Sequence, residues 1–172
     1  MNASTALAIR LLALDVDGVL TDGRITYGND GEELKAFNIK DGLGIKLLQR
    51  AGIEVAIITG RQSAIVARRA GELGIGTIIQ GREDKITALR ELCAERKLNL
   101  DACAYMGDDL PDLAAIQAAA IGMTVADACS AVARAADWQS GYAGGCGAVR
   151  EASEALLEAR GQRRDLEAEY AL

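Results

Sequence analysis

The feature that most constrains this chain is an alternation of lengths. Short aliphatic runs at residues 11–16, 53–58, 77–79, 102–106 and 121–125 alternate with longer segments at 42–51, 63–73, 85–97 and 110–120. The short runs are too continuously apolar to leave one face in water, so they read as strands covered on both sides. The longer segments repeat apolar residues at helical spacing. Leu43, Leu47 and Leu48 share one face of the first of them, which stops at Gly52. This alternation predicts an α/β fold, a doubly wound parallel sheet with helices on both faces. A chain of 172 residues has room for one such domain, so residues 1–172 are read as a single unit.

One segment departs from the pattern. Residues 23–38 set RITY and LKAFN on either side of GNDGEE, which is a β-hairpin signature. It follows the first strand directly, where an open α/β sheet has its carboxyl-end crevice. The tail, residues 141–172, starts with YAGGCGAVRE after Gly141 and continues as an Ala/Glu/Leu helix into a charged end.

Composition enters through an absence. The chain has no histidine. Ser-His-Asp hydrolysis, histidine-ligated zinc and phosphohistidine chemistry are therefore excluded together. Catalysis is left to carboxylates, lysine, arginine, hydroxyls, thiols or a hard metal ion. A net charge of −6 argues against a nucleic-acid partner, whose phosphates reward clustered cations. The four cysteines form no CxxC pair and read as incidental thiols in a reducing compartment. The apolar N-terminal stretch is broken by Arg10, so no signal peptide is expected, and no uncharged run reaches the ~20 residues a bilayer requires. The expectation is a cytoplasmic protein with no membrane partner.

Ligands of such sheets bind beyond the carboxyl ends of the strands. The first strand ends in Asp15-Val16-Asp17-Gly18, the second in Thr59-Gly60-Arg61, and the fourth in Gly107-Asp108-Asp109-Leu110-Pro111-Asp112, while Lys85 opens the helix after the third. Carboxylates crowded on one rim raise each other's pKa unless a cation sits among them. Mg²⁺ fits, because it takes oxygen ligands and keeps waters that substrate phosphate oxygens replace. Without histidine, the available nucleophile is a carboxylate. One of Asp15 and Asp17 would attack phosphorus, and the other would protonate the leaving alcohol and later deprotonate water. Thr59 offers a hydroxyl to a phosphoryl oxygen, Lys85 neutralises developing charge and Asp108 holds the metal. Asp109 reads more simply as a cap for the helix that starts near Pro111.

The segments DVDGVLTD, TGR, Lys85 and GDDLPD resemble, in order, the four motifs of the haloacid dehalogenase superfamily of phosphatases. The resemblance covers roughly residues 9–155. Within the superfamily, KAFN-x-x-DG after the hairpin and GG-x-GAVRE in the tail resemble a capless branch that acts on acidic sugar phosphates. The resemblance implies a Rossmann-like core with a hairpin flap at about 23–38 in place of a cap domain. It also implies a homotetramer assembled through the hairpins, with tails able to reach a neighbouring site.

By this resemblance Asp15 is the nucleophile and a magnesium ligand, Asp17 the general acid and base with its carbonyl on the metal, and Asp108 the remaining protein ligand. Asp112 supports them from behind. Substrate contacts fall to Asp17, Asn38, Ile39, Lys40, Asp41, Gly42, Arg61, Arg69 and Lys85, with Arg61 placed to meet a sugar carboxylate and Arg69 able to serve an adjacent subunit. The implied reaction is release of phosphate from the 8-phosphate of an eight-carbon acidic sugar, in lipopolysaccharide synthesis. A nine-carbon keto-acid 9-phosphate and a non-catalytic tetramerising domain are the alternatives. Cys146 stands where relatives commonly carry a basic residue.

Overall fold

The computed structural model describes residues 1–171. The chain opens with α1 (Ala3–Ala8), where the Asn2 side chain accepts the N–H groups of Ser4 and Thr5, and passes into β1 (Leu11–Leu14). Two-residue strands β2 (Thr26–Tyr27) and β3 (Glu33–Leu34) make an antiparallel hairpin. There follow α2 (Ile39–Arg50), β4 (Glu54–Ile58), α3 (Ala64–Leu73), β5 (Thr77–Ile79), α4 (Lys85–Glu95), β6 (Cys103–Gly107) and α5 (Leu113–Ala118). The chain closes with β7 (Ile121–Thr124), α6 (Ser130–Ala135), β8 (Trp138–Gln139), α7 (Ala148–Ala159) and α8 (Arg163–Ala168).

Six strands form one sheet in the order β5-β4-β1-β6-β7-β8, and every pairing is parallel. The winding runs outward from β1 through β4 to β5, then returns to β6 on the other flank of β1. Strand order therefore reverses between β1 and β6, where such a sheet opens a crevice at its carboxyl edge. Register holds that edge level, because Leu14 pairs with Ile57 on one side and Met106 on the other.

The pleat of β1 sorts its residues between two cores. Leu12 and Leu14 pack with Ile45, Leu48, Val149 and Leu156, which covers one face with α2 and α7. Leu11 and Ala13 pack with Leu89, Leu92, Ile116 and Tyr105, which covers the other with α4 and α5. Each fully buried aliphatic side chain contributes ~1.5–3 kcal/mol, so this two-sided burial is what fixes the strand ends in space. Helices α2 and α7 approach closely at Gly44, where an added Cβ would lie 2.9 Å from Ser153 Oγ.

The expected α/β architecture is present, and a hairpin rather than a cap domain follows β1. The boundaries differ for local reasons. The second helix starts at Ile39 rather than residue 42, because the Asn38 side chain accepts the Lys40 N–H at 2.8 Å and caps it. The expected 110–120 helix divides into a 3₁₀ turn at Leu110–Asp112 and the short α5. The short elements α1, α6 and β8 carry too few residues to show a period, and the sequence reading passed over them. Among the described residues no helix is long and apolar enough to cross a membrane.

Candidate active site

β1 ends at Leu14, one residue before the first candidate carboxylate. Asp15 stays tied to the sheet by its N–H, which donates to the Met106 carbonyl at 3.0 Å. The Val16 carbonyl then accepts the N–H groups of Val19, Leu20 and Thr21 at 3.2, 2.9 and 3.0 Å, which reverses the chain. This turn brings Asp17 back onto the crevice that Asp15 lines. Gly18 sits in it at φ +92°, and a Cβ there would collide with the Asp108 carboxylate, so glycine is needed twice over.

The end of β6 delivers the second group. Asp112 is fully buried, and its carboxylate is saturated with donors. Oδ1 accepts Lys85 Nζ and the Tyr105 hydroxyl, both at 2.7 Å, while Oδ2 accepts the N–H groups of Asp108 at 3.1 Å and Asp109 at 3.3 Å. Lys85 Nζ also lies 2.6 Å from Asp15 Oδ2. Lys85 therefore bridges the two strand ends, and Asp109 caps the following turn through the Leu110 N–H at 2.8 Å, as expected.

Carboxylate oxygens of Asp15, Asp108 and Asp112 lie within 4.8 Å of one another. Their spare capacity differs. Every oxygen of Asp112 has a partner, whereas Asp15 Oδ1 and Asp108 Oδ1 are buried without one. Two orphaned carboxylate oxygens on members of one close cluster fit a hard divalent cation, and the residues present suit Mg²⁺ through Asp15 and Asp108.

Electrostatics without a cation agree. Burial, then the neighbouring Asp112 charge, pushes the Asp15 carboxyl up to about 6, against the opposing pull of Lys85. Burial and the Asp15 charge push Asp108 up to about 7. Burial alone would depress Lys85, but Asp15 and Asp112 outweigh it and raise the ammonium above its ordinary value. Burial and the Asp112 charge likewise hold the Tyr105 phenol well above its usual range.

A crevice of about 260 Å³ brings Asp15, Asp17, Thr59, Arg61 and Lys85 together with Gly60, Glu83 and Pro111. The other expected substrate contacts are placed elsewhere. Asn38, Asp41, Gly42 and Arg69 line a separate apolar cavity of about 10 Å³ between α2 and α3. Asp41 is 1% exposed and accepts the Arg150 N–H at 2.8 Å, which ties α2 to α7. Ile39 is 80% exposed, and Lys40 lines a cleft together with Cys146 and Arg150 of the tail. The Gly145 N–H donates to the Val19 carbonyl at 2.9 Å, so the tail glycines rest on this chain's own turn after Asp17.

The chain is similar in sequence and fold to known phosphatases. A haloacid dehalogenase-like hydrolase model matches residues 70–151. The 3-deoxy-D-manno-octulosonate 8-phosphate phosphatase of Escherichia coli K12 is 47% identical over 154 residues, covering 90% of this chain and 82% of that protein. The chain belongs to that phosphatase family. A Moraxella catarrhalis phosphatase of the family, in complex with magnesium, phosphate and the sugar KDO, superposes with a TM-score of 0.96 at 47% identity, over 98% of this chain and 97% of that one. The cobalt-bound Haemophilus influenzae enzyme gives a TM-score of 0.89 at 42% identity, over 92% and 93% of the two chains.

Two charged residues beside this phosphatase site escaped the sequence reading. Lys35, whose side chain is 1% exposed, pairs with Asp17 Oδ1, and its Nζ lies 3.4 Å from Glu33 Oε1. Glu33 Oε2 accepts Arg61 Nη2 at 2.9 Å, and Arg61 Nε lies 3.8 Å from Asp17 Oδ2. Despite some desolvation, Arg61 and Lys35 hold the Glu33 carboxyl below its ordinary value. The available signal was alternation: Glu33 and Lys35 stand two apart on one extended segment, so their side chains share a face.

Proposed function

We propose that this protein hydrolyses 3-deoxy-D-manno-octulosonate 8-phosphate to the free sugar acid and inorganic phosphate, a step of lipopolysaccharide synthesis, through an aspartyl-phosphate on Asp15. The observation that carries the reading is the pair of unpartnered buried oxygens on Asp15 and Asp108 beside a buried lysine. Asp15, Asp108 and the Asp17 carbonyl would hold Mg²⁺, which would supply positive charge to the carboxylates and to the phosphoryl oxygens.

The protein's own groups divide the work. An Asp15 oxygen attacks phosphorus, the bond to the sugar oxygen breaks, and Asp17 gives that oxygen its proton. Asp17 then takes a proton from water, whose oxygen attacks phosphorus and releases the Asp15 carboxylate. Thr59, 2% exposed at the end of β4, donates its hydroxyl to a phosphoryl oxygen. Lys85 holds Asp15 in line and balances the charge of the transferring group, while Asp112 fixes Lys85 and the backbone of Asp108.

Arg61 meets the sugar carboxylate. Asn38, Ile39, Lys40, Asp41, Gly42 and Arg69 lie outside this chain's own crevice, and they serve the reaction across subunits of a homotetramer. Its assembly covers the apolar side chains now exposed on the flap and beside it, Ile25, Tyr27, Leu34 and Ile39. Four free thiols suit a cytoplasmic setting.

The test is phosphate release from a panel of sugar phosphates, with and without Mg²⁺, for wild type and Asp15→Asn. Turnover of the eight-carbon substrate should need the metal and fall at least ~10³-fold in the variant. Unchanged turnover in Asp15→Asn removes the aspartyl-phosphate mechanism, and faster turnover of a nine-carbon 9-phosphate moves the substrate assignment.

A further inference from the structure

The flap does more than stand over the crevice. Its Lys35 is linked to the reacting residues by a closed ring of four charges, in which Lys35 meets Asp17, Asp17 faces Arg61, Arg61 meets Glu33, and Glu33 faces Lys35. Two members come from the hairpin, one from the turn after β1 and one from the loop after β4. The ring is electrically neutral, and its Lys35 ammonium is almost wholly removed from water. A buried ammonium in this position is costly unless it is paired, so the hairpin cannot shift without breaking contacts to Asp17.

The two oxygens of Asp17 are consequently unequal. Oδ1 is occupied by Lys35, whereas Oδ2 has only Arg61 Nε at 3.8 Å, beyond hydrogen-bonding distance, and that Nε has no hydrogen-bond partner. Occupying one oxygen restrains rotation of the carboxylate and leaves the other without a hydrogen bond, on a residue that lines the crevice together with Asp15. We infer that Lys35 is a positioning residue for Asp17, fixing Oδ1 so that Oδ2 is the oxygen exchanging a proton with the leaving group. Glu33 completes the device by holding Lys35 and Arg61 at once. Docking of the flap thus becomes a condition for proton transfer, although no flap residue needs to touch the phosphorus.

This inference rests on the phosphatase reading, and its test separates the two. General acid help matters for a basic alkoxide and little for a nitrophenolate, which leaves without a proton. Glycerol 3-phosphate and p-nitrophenyl phosphate differ in that respect, and neither carries a carboxylate for Arg61. Wild-type turnover of the eight-carbon sugar phosphate is checked first, since its absence would sink the underlying reading and this inference with it.

In Lys35→Met, the ratio of kcat/KM for glycerol 3-phosphate to that for p-nitrophenyl phosphate should fall roughly 10- to 100-fold. Lys35→Arg, which keeps the charge, should return the ratio to within about 3-fold of wild type. Equal losses on both substrates, or no loss on either, would overturn the inference, because a merely structural lysine does not distinguish leaving groups. Should Lys35→Met fail to fold by its melting curve, Lys35→Gln is read by the same ratio.

Discussion

Replacing Asp108 by Asn should make the metal-free protein more stable, by an amount that depends on pH. Burial and the Asp15 charge raise the Asp108 carboxyl from 3.8 to about 7. A group whose folded pKa is raised binds protons more tightly in the folded state, so stability is lost as pH rises from the unfolded value through the folded one. For Asp108 that window runs from about 4 to about 7. At ~1.4 kcal/mol per unit, the full penalty above the window is at most ~4 kcal/mol. Asn keeps the shape of the protonated acid and carries no charge. The stability gap between Asp108→Asn and wild type should therefore widen by ~3 kcal/mol between pH 5 and pH 8, or about 6–12 °C in Tm for a chain of this size.

The assay is calorimetric melting in chelator across that pH range, repeated with Mg²⁺. Metal should narrow the gap at pH 8 by ~2.7 kcal/mol at a hundredfold excess over Kd and close it at about a thousandfold excess, since it binds ionised carboxylates and stabilises wild type. A gap that stays constant from pH 5 to pH 8 in chelator would refute the reasoning, because Asp108 would then not be a carboxylate held ionised at a cost.

The other expected outcomes concern neighbours of the same carboxylates. Lys85→Met removes the cation shared by Asp15 and Asp112; it should cost ~3–5 kcal/mol in urea denaturation at neutral pH, and a loss below ~1 kcal/mol would show that the ion pairs carry no net stabilisation. Gly18→Ala pushes a methyl into the Asp108 carboxylate from a backbone at φ +92°; Mg²⁺ affinity by titration calorimetry should fall ~10- to 100-fold, and unchanged affinity would mean that Asp108 does not hold the ion.

What the sequence made legible is what strand ends determine. Asp15, Thr59 and Asp108 follow aliphatic strands whose order the parallel winding prescribes, so locating the strands brought them to one edge before any distance was known. Lys85 was legible for the same reason, as the first residue of a helix returning from that edge. Asp41 was not. Its place in the KAFN-x-x-DG segment suggested a substrate contact, but nothing in that segment shows that its buried carboxylate takes the Arg150 N–H and joins two helices. A motif reports which residue type is present, and it cannot report which of two surfaces a helix N-terminus turns toward.

The flap shows the complementary limit. Its turn was readable from Asn-Asp-Gly, and alternation puts Glu33 and Lys35 on one face, but nothing local says whether that face meets water or the core. For strands of two residues each, hydrogen bonding alone cannot hold a hairpin in place. What decides is the closing contact with Asp17, 18 residues earlier in the chain, and with Arg61, 28 residues after Glu33. Charge therefore docks the hairpin, and the charges that dock it belong to the site it covers. A flap held this way can be shifted by a ligand that competes for Arg61. If Arg61 meets the sugar carboxylate as proposed, that carboxylate and Glu33 are two claimants for one guanidinium, and substrate binding is linked to the flap through the Arg61–Glu33 contact while the Lys35–Asp17 contact is left untouched.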